Sequence, residues 1–127
     1  MVCVCLSVSS KPEAAEPMPI VAAEILDRII DALTSPQAVG STLVKKGAGW
    51  ALLSYPCPDQ DALFTVKLVI PRGEDPARVG IVEPAVQAEV CFQAWGRCPD
   101  VPQILSRAIQ ELWDRGLGVS ISGPCRA

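Results

Sequence analysis

The chain contains no histidine, and this absence removes a large class of catalytic sites. A serine or cysteine nucleophile needs a neighbouring base, most often the imidazole of histidine. Histidine is also a frequent zinc ligand, and no two of the six cysteines have the C-x-x-C spacing of zinc sites. The sequence therefore predicts no catalytic residue and no metal.

Other absences narrow the function further. The KGAG stretch at 46–49 matches neither G-x-x-x-x-G-K nor G-x-G-x-x-G, the two glycine spacings of phosphate-binding loops. A net charge of −3 argues against the basic face that a nucleic acid requires. No apolar run reaches the ~18 residues of a membrane span, and the first ten residues lack the basic start of a signal peptide. We expect a non-enzymatic protein with no cofactor, no nucleic-acid partner and no membrane partner.

The 127 residues, half of them hydrophobic, predict one folded domain preceded by an arm. Residues 1–17 form the predicted N-terminal arm and linker, and residues 18–127 form a single α+β domain. Val2, Val4, Leu6 and Val8 alternate along the arm and permit a short strand. Such a strand either docks on a neighbouring subunit or packs on the sheet of its own chain.

A first amphipathic helix is predicted to begin near Pro19 and to end at Ser35-Pro36, because proline suits the first helical position and disfavours helix before itself. Its apolar stripe consists of Val21, Ala22, Ile25, Leu26, Ile29, Ile30 and Leu33.

Alternating apolar residues then predict strands at 42–46, 50–55 and 63–70, and a fourth strand that Pro84 opens. After a turn at 96–99 the period becomes helical. Asp100 and Gln103 have the spacing of a capping box, and Gly116 supplies the end of this second helix. A last short strand follows at 117–121. The predicted fold is α+β: an antiparallel sheet of four to five strands, two amphipathic helices packed on one face, and the N-terminal arm.

The favoured interpretation of the six cysteines is that they are unpaired thiols, which act as small buried hydrophobic residues in a reducing cell. Cys91 and Cys98 flank a turn and could meet, which the sequence leaves open. Cys98 is the sole candidate for a reactive thiol, because it precedes a helix and follows Arg97. A structural turn cysteine is the favoured interpretation.

The outward positions of the fourth strand form a mixed surface that is uncharged at its centre. Gln87, Glu89, Gln93 and Trp95 alternate with the apolar positions of this strand. Such a face can pair with a neighbouring protein, and tryptophan is enriched at interfaces. Trp95 is therefore either an interface anchor or the edge of the core.

The run EPAVQAEVCFQAWGR at 83–97, a turn, and ILSRAIQEL at 104–112 resemble the tail-terminator and tail-completion proteins of tailed bacteriophages. Those small α+β proteins also begin with an amphipathic helix, as at 20–33. The resemblance implies a virion protein, assembled in the host cytoplasm, that forms a ring and contacts neighbouring tail or neck proteins. It implies no catalytic residue.

By the same resemblance, the edge of the strand at 87–95 and the loop at 71–76 would contact neighbouring subunits. With the outward positions of the strand, the predicted interface residues are Gln87, Glu89, Gln93, Trp95, Arg72, Glu74 and Asp75.

A second hypothesis is a cytoplasmic lipid-binding module. The segment from AEV at 88–90 to Gly116, followed by VSISG at 119–123, is similar to the sterol carrier protein domain. That resemblance implies an apolar tunnel and a small apolar ligand. The chain departs from it at the WGRCP turn at 95–99.

Overall fold

The two helices of the computed structural model are separated by four consecutive strands, and the structure describes residues 2–10, 22–69, 87–96, 98 and 100–125. The elements are, in chain order, β1 (Val2–Ser10), α1 (Ala22–Thr34), β2 (Thr42–Gly47), β3 (Trp50–Tyr55), β4 (Ala62–Val69), β5 (Gln87–Ala94), α2 (Val101–Asp114) and β6 (Leu117–Pro124).

The six strands of the described residues form one antiparallel sheet in the order β2-β3-β4-β5-β1-β6. The α+β class with two helices is thus confirmed, whereas four to five strands was one or two too few. The additional strand is β1, which lies inside the sheet because it pairs with β5 on one side and with β6 on the other.

Residues Val2–Ser10 therefore pack on the sheet of their own chain, which decides between the two possibilities for the predicted arm. Leu6 is the register partner of Val90 on β5 and of Ile121 on β6. The predicted boundary at residue 17 lies outside the described residues, so the division into an arm and a domain stays a prediction.

Both helices pack on the same face of the sheet, and their apolar stripes form the core with it. Ile29 and Leu33 of α1 are fully buried, as are Ala108 and Leu112 of α2. The strand residues of this core are Leu6, Val8, Ala51, Leu53, Ala62, Phe64, Val66, Ala88, Val90, Phe92, Ala94 and Leu117. Cys5 is also buried, on the opposite side of the sheet.

An aromatic pair lies at the centre of this core. Phe64 on β4 and Phe92 on β5 are register partners, and their ring centroids are 4.8 Å apart at a tilted angle. Tilted aromatic pairs add attraction beyond the apolar area that they bury. The pair joins two neighbouring strands directly beneath the helices.

The ends of the helices differ in part from expectation. The predicted start of the first helix near Pro19 lies outside the described residues. The capping box at Asp100 is wrong, because Asp100 has a left-handed backbone (φ 60°) and its side chain makes no capping hydrogen bond. Pro102 instead occupies the first turn, where its missing N–H costs little. Gly116 ends α2 with φ 89°, as predicted.

Neither described helix has the length and apolar content to cross a lipid bilayer.

Two leucines on α2 test this packing by the same substitution. We expect Leu112→Ala to lower the free energy of unfolding by about 2–5 kcal/mol, because Leu112 is fully buried. Leu105→Ala should cost less, since Leu105 is only partly buried at the margin of the core. Denaturant unfolding of both variants measures the difference, and equal losses would contradict the described orientation of α2.

Candidate functional site

The helices leave one face of the sheet, here called the open face, without a covering element among the described residues. Along β5, exposed or half-exposed side chains alternate with the buried ones that face the helices. The same alternation runs through the neighbouring strands. The open face consists of Trp50, Leu52, Ser54, Leu63, Thr65, Lys67, Val69, Gln87, Glu89, Cys91, Gln93, Cys3, Cys5, Ser7 and Ser9.

Three of the predicted interface residues lie together on this face. Gln87, Glu89 and Gln93 project from β5 at alternate positions, with Cys91 between them. Trp95 follows the end of β5 and is 39% exposed. Their role as an interface stays a prediction. Arg72, Glu74 and Asp75 lie outside the described residues.

The expectation that the edge of the strand at 87–95 contacts a neighbour needs correction. β5 is an interior strand, paired with β4 on one side and with β1 on the other. Its backbone hydrogen-bonding groups are used in these two ladders, so only its outward side chains can meet another molecule. The sequence does not reveal this because the pairing of β1 with β5 joins segments far apart in the chain.

Few charges lie on the open face. Lys67 on β4 and Glu89 on β5 are register partners, so their opposite charges lie side by side. The ion pairs of the described residues lie elsewhere: Lys46 with Asp27 of α1 at 2.6 Å, one pair within α1 and one at the end of α2. Lys45 on the edge strand β2 is the register partner of Leu52 and adds a positive charge at the rim of the face. The open face therefore mixes polar and apolar side chains with a few charges.

Four of the six cysteines converge on the open face, and we call Cys3, Cys5, Cys91 and Cys125 the cysteine cluster. Cys3 and Cys5 lie two residues apart on β1, Cys91 lies opposite Cys5 on β5, and Cys125 directly follows β6. Disulfides join Cys3 to Cys125 and Cys5 to Cys91, with Cα–Cα distances of 5.3 and 4.1 Å. The Sγ atoms of Cys5 and Cys125 are 3.3 Å apart, so the two disulfides are in contact.

A third disulfide joins Cys57, after β3, to Cys98, before α2. Both residues are half-buried and pack against the core. This bond rules out the free Cys98 thiol that a nucleophile would need. It also connects two loops at one end of the sheet.

The interpretation of the six cysteines as unpaired is therefore wrong in this structure, where each belongs to a disulfide. Cys91 and Cys98, which flank the turn, bond to Cys5 and Cys57 and not to each other. One sequence signal was available: Cys3, Cys5 and Cys91 all occupy outward positions of alternating strands. The sequence does not reveal the strand register that places Cys5 beside Cys91.

The cysteine cluster forms the floor of a shallow depression of about 510 Å³. Thr65, Lys67, Glu89 and Gln93 surround it, together with Ser122 and Pro124 of β6. The Ser122 hydroxyl donates a hydrogen bond to the Cys5 carbonyl oxygen at 2.9 Å, and Glu89 Oε1 lies 3.2 Å from Cys91 Sγ. A second depression of about 310 Å³ lies at the far end of β1 and β6, beside Trp113.

The chemistry that this arrangement offers is that of sulfur. The depression is open to solvent, and the half-buried Cys91 and Cys125 give a small thiol one sulfur of each disulfide to attack, whereas Cys5 is buried.

Comparisons with protein-family models, with curated proteins and with solved structures found no match to this chain.

Peptide mapping without reduction tests the three pairings. We expect fragments that link Cys3 to Cys125, Cys5 to Cys91 and Cys57 to Cys98. Reduction of the bonds should lower the free energy of unfolding by about 2–4 kcal/mol for each, because the unfolded chain regains freedom. Free thiols in protein whose thiols were blocked at lysis, or a Cys91–Cys98 fragment, would contradict the described pairing.

Proposed function

We propose that the chain is a non-enzymatic structural protein that assembles with copies of itself through the open face. The observation that carries this proposal is the one-sided architecture. Both helices pack on the same face, and the described residues place nothing over the other face of a six-stranded sheet. A large sheet face with apolar side chains is usually covered by another layer, and a second protein can supply that layer.

The composition of the open face suits a contact between proteins. Trp50 and Val69 are 38% and 44% exposed, and the half-buried Leu52 and Leu63 lie near them. Amides and hydroxyls surround these apolar groups, and the charged side chains are few. Interfaces combine aromatic and apolar anchors with few charges in the same way.

A ring needs a second, different surface on each subunit, and the two sheet edges supply candidates. β2 exposes Leu43 and Val44, and β6 exposes Ile121 at 67%. The open face of one copy against an edge region of the next is a head-to-tail contact, which closes into a ring when the rotation allows.

We assign this contact to side chains and not to strand addition. The pairing register shifts between Leu43 and Lys45 on β2, and it also shifts where β6 passes Cys5 and Leu6. Bulges and lysines on edge strands limit pairing with other strands.

A ring-forming subunit agrees with the resemblance to the tail-terminator and tail-completion proteins, whose neighbours would be tail or neck proteins. A virion location is also compatible with the disulfides, because virion surfaces are oxidising environments. During assembly in a host cytoplasm the same cysteines would be reduced.

The packing of the described core does not favour the lipid-binding alternative. The helices rest on fully buried side chains such as Val66 and Val90. The depression over the cysteine cluster lies on the open face, and the second is lined by Trp113 of α2 with Val8 and Val119 at one end of the sheet.

Light scattering after size exclusion, with electron microscopy of the same fractions, tests the assembly. We expect the purified chain to form a multimer with a ring shape. Gln87→Arg places a positive charge on the open face, and Trp95→Ala removes an anchor. Each should weaken subunit association at least tenfold, about 1.4 kcal/mol.

Gln103→Arg on α2 is the matched control, because it makes the same change on the exposed surface of the helix layer. It should leave the multimer intact. A strictly monomeric wild-type chain would contradict the proposal, as would equal loss of assembly in the control. If Trp95→Ala lowers the melting temperature by several degrees and leaves assembly unchanged, Trp95 belongs to the core edge.

A further inference from the structure

The cysteine cluster brings together four sulfurs from three separate segments of the chain. The Sγ atoms of Cys5, Cys91 and Cys125 all lie within 4.8 Å of one another. Cys3 joins them through its bond to Cys125, and the Cys125 N–H also donates a hydrogen bond to the Cys3 carbonyl oxygen at 3.2 Å. β1, β5 and the end of β6 thus bring three sulfurs within 4.8 Å of one another, and the Cys3 sulfur is bonded to one of them.

We propose that this cluster, when its two disulfides are reduced, is a tetrathiolate site for one soft divalent metal ion, with Zn²⁺ as the representative ion. Four thiolates are a common donor set of structural zinc sites. With a zinc–sulfur distance of about 2.3 Å, two sulfurs of a tetrahedron lie about 3.8 Å apart. The 3.3 Å between Cys5 Sγ and Cys125 Sγ is close to this distance.

The conversion between the two states balances in electrons and protons. Each disulfide takes two electrons and two protons from a dithiol reductant, which itself becomes a disulfide. The cluster thus gains four electrons and four protons in total. Binding of the metal then releases the thiol protons to solvent, because thiolates are the ligands. Oxidation by a disulfide reverses the reaction and releases the ion.

The surroundings suit both steps. The depression over the cluster is open, so a reductant and an ion can reach it. Four thiolates around Zn²⁺ carry a net charge of −2, which solvent in the open depression can hydrate, while the opposite charges of Lys67 and Glu89 on its wall offset each other. The Ser122 hydroxyl donates a hydrogen bond to the Cys5 carbonyl oxygen, next to the register shift between β1 and β6. This contact positions the segment that carries Cys125.

The site has no C-x-x-C signature because strands, and not a tight turn, supply its ligands. Residues i and i+2 of a strand share one face, so the C-x-C pair at 3 and 5 directs both sulfurs outward. The proposal does not depend on self-assembly of the chain.

Cobalt titration of the reduced full-length protein tests the site. The protein is reduced with a phosphine under anaerobic conditions, desalted and titrated with Co²⁺, then with Zn²⁺. We expect one Co²⁺ per chain, with the intense visible bands of tetrahedral coordination and a sulfur-to-cobalt charge-transfer band. Zn²⁺ should displace the cobalt and raise the melting temperature of the reduced protein. The oxidised protein should bind neither ion.

Two variants distinguish this cluster from the remaining cysteines. Cys91→Ser removes one ligand and should lower the affinity for Co²⁺ at least tenfold, since even indirect partners of a metal contribute that much. The Cys57→Ser/Cys98→Ser double variant is the control, because it removes the third disulfide and keeps the cluster. Its stoichiometry and visible spectrum should match those of the wild type.

Circular dichroism of each reduced sample shows whether the chain is folded before and after the metal is added. If the reduced chain unfolds, recovery of its structure on addition of Zn²⁺ supports the proposal, because binding and folding are then coupled. Persistent unfolding with the metal present would overturn it. So would the absence of tetrahedral cobalt bands in folded reduced protein, full binding by Cys91→Ser, or loss of binding in the double variant.

Discussion

The pairing of β1 with β5 is the contact on which the rest of the structure depends. It inserts the first strand into the interior of the sheet, and β6 has no other partner strand among the described residues. It also places Leu6 and Val8 in the core and, on the opposite side of the same strand, Cys3 and Cys5 on the open face. One register therefore determines the size of the sheet, the filling of the core and the position of the sulfurs.

The helices divide the sheet into two chemically different sides. On the covered side, the aromatic pair of Phe64 and Phe92 and the apolar stripes of both helices exclude water. On the open side, hydroxyls, amides and disulfides face outward. The apolar core lies on the covered side, so the exposed groups of the open side are not part of it.

Local periodicity predicted much of the fold. The stripe Ile25, Leu26, Ile29, Ile30 and Leu33 is buried as its spacing indicated, and β3 has its predicted bounds. Long-range strand pairing could not be predicted. The alternation of apolar and polar residues indicates which face of the sheet a side chain occupies, but not which strand lies beside it. The interior place of β1, the disulfide partners and the cysteine cluster all follow from that missing register. The left-handed backbone of Asp100 is another feature that its cap-like sequence does not reveal.

The disulfide between Cys3 and Cys125 links positions 122 residues apart. While this bond is intact, the backbone between them is a closed covalent loop. A single protease cleavage at any peptide bond within that loop leaves both pieces attached to each other. The chain therefore keeps its mass after one nick, and only a second cut or a reductant can release a fragment.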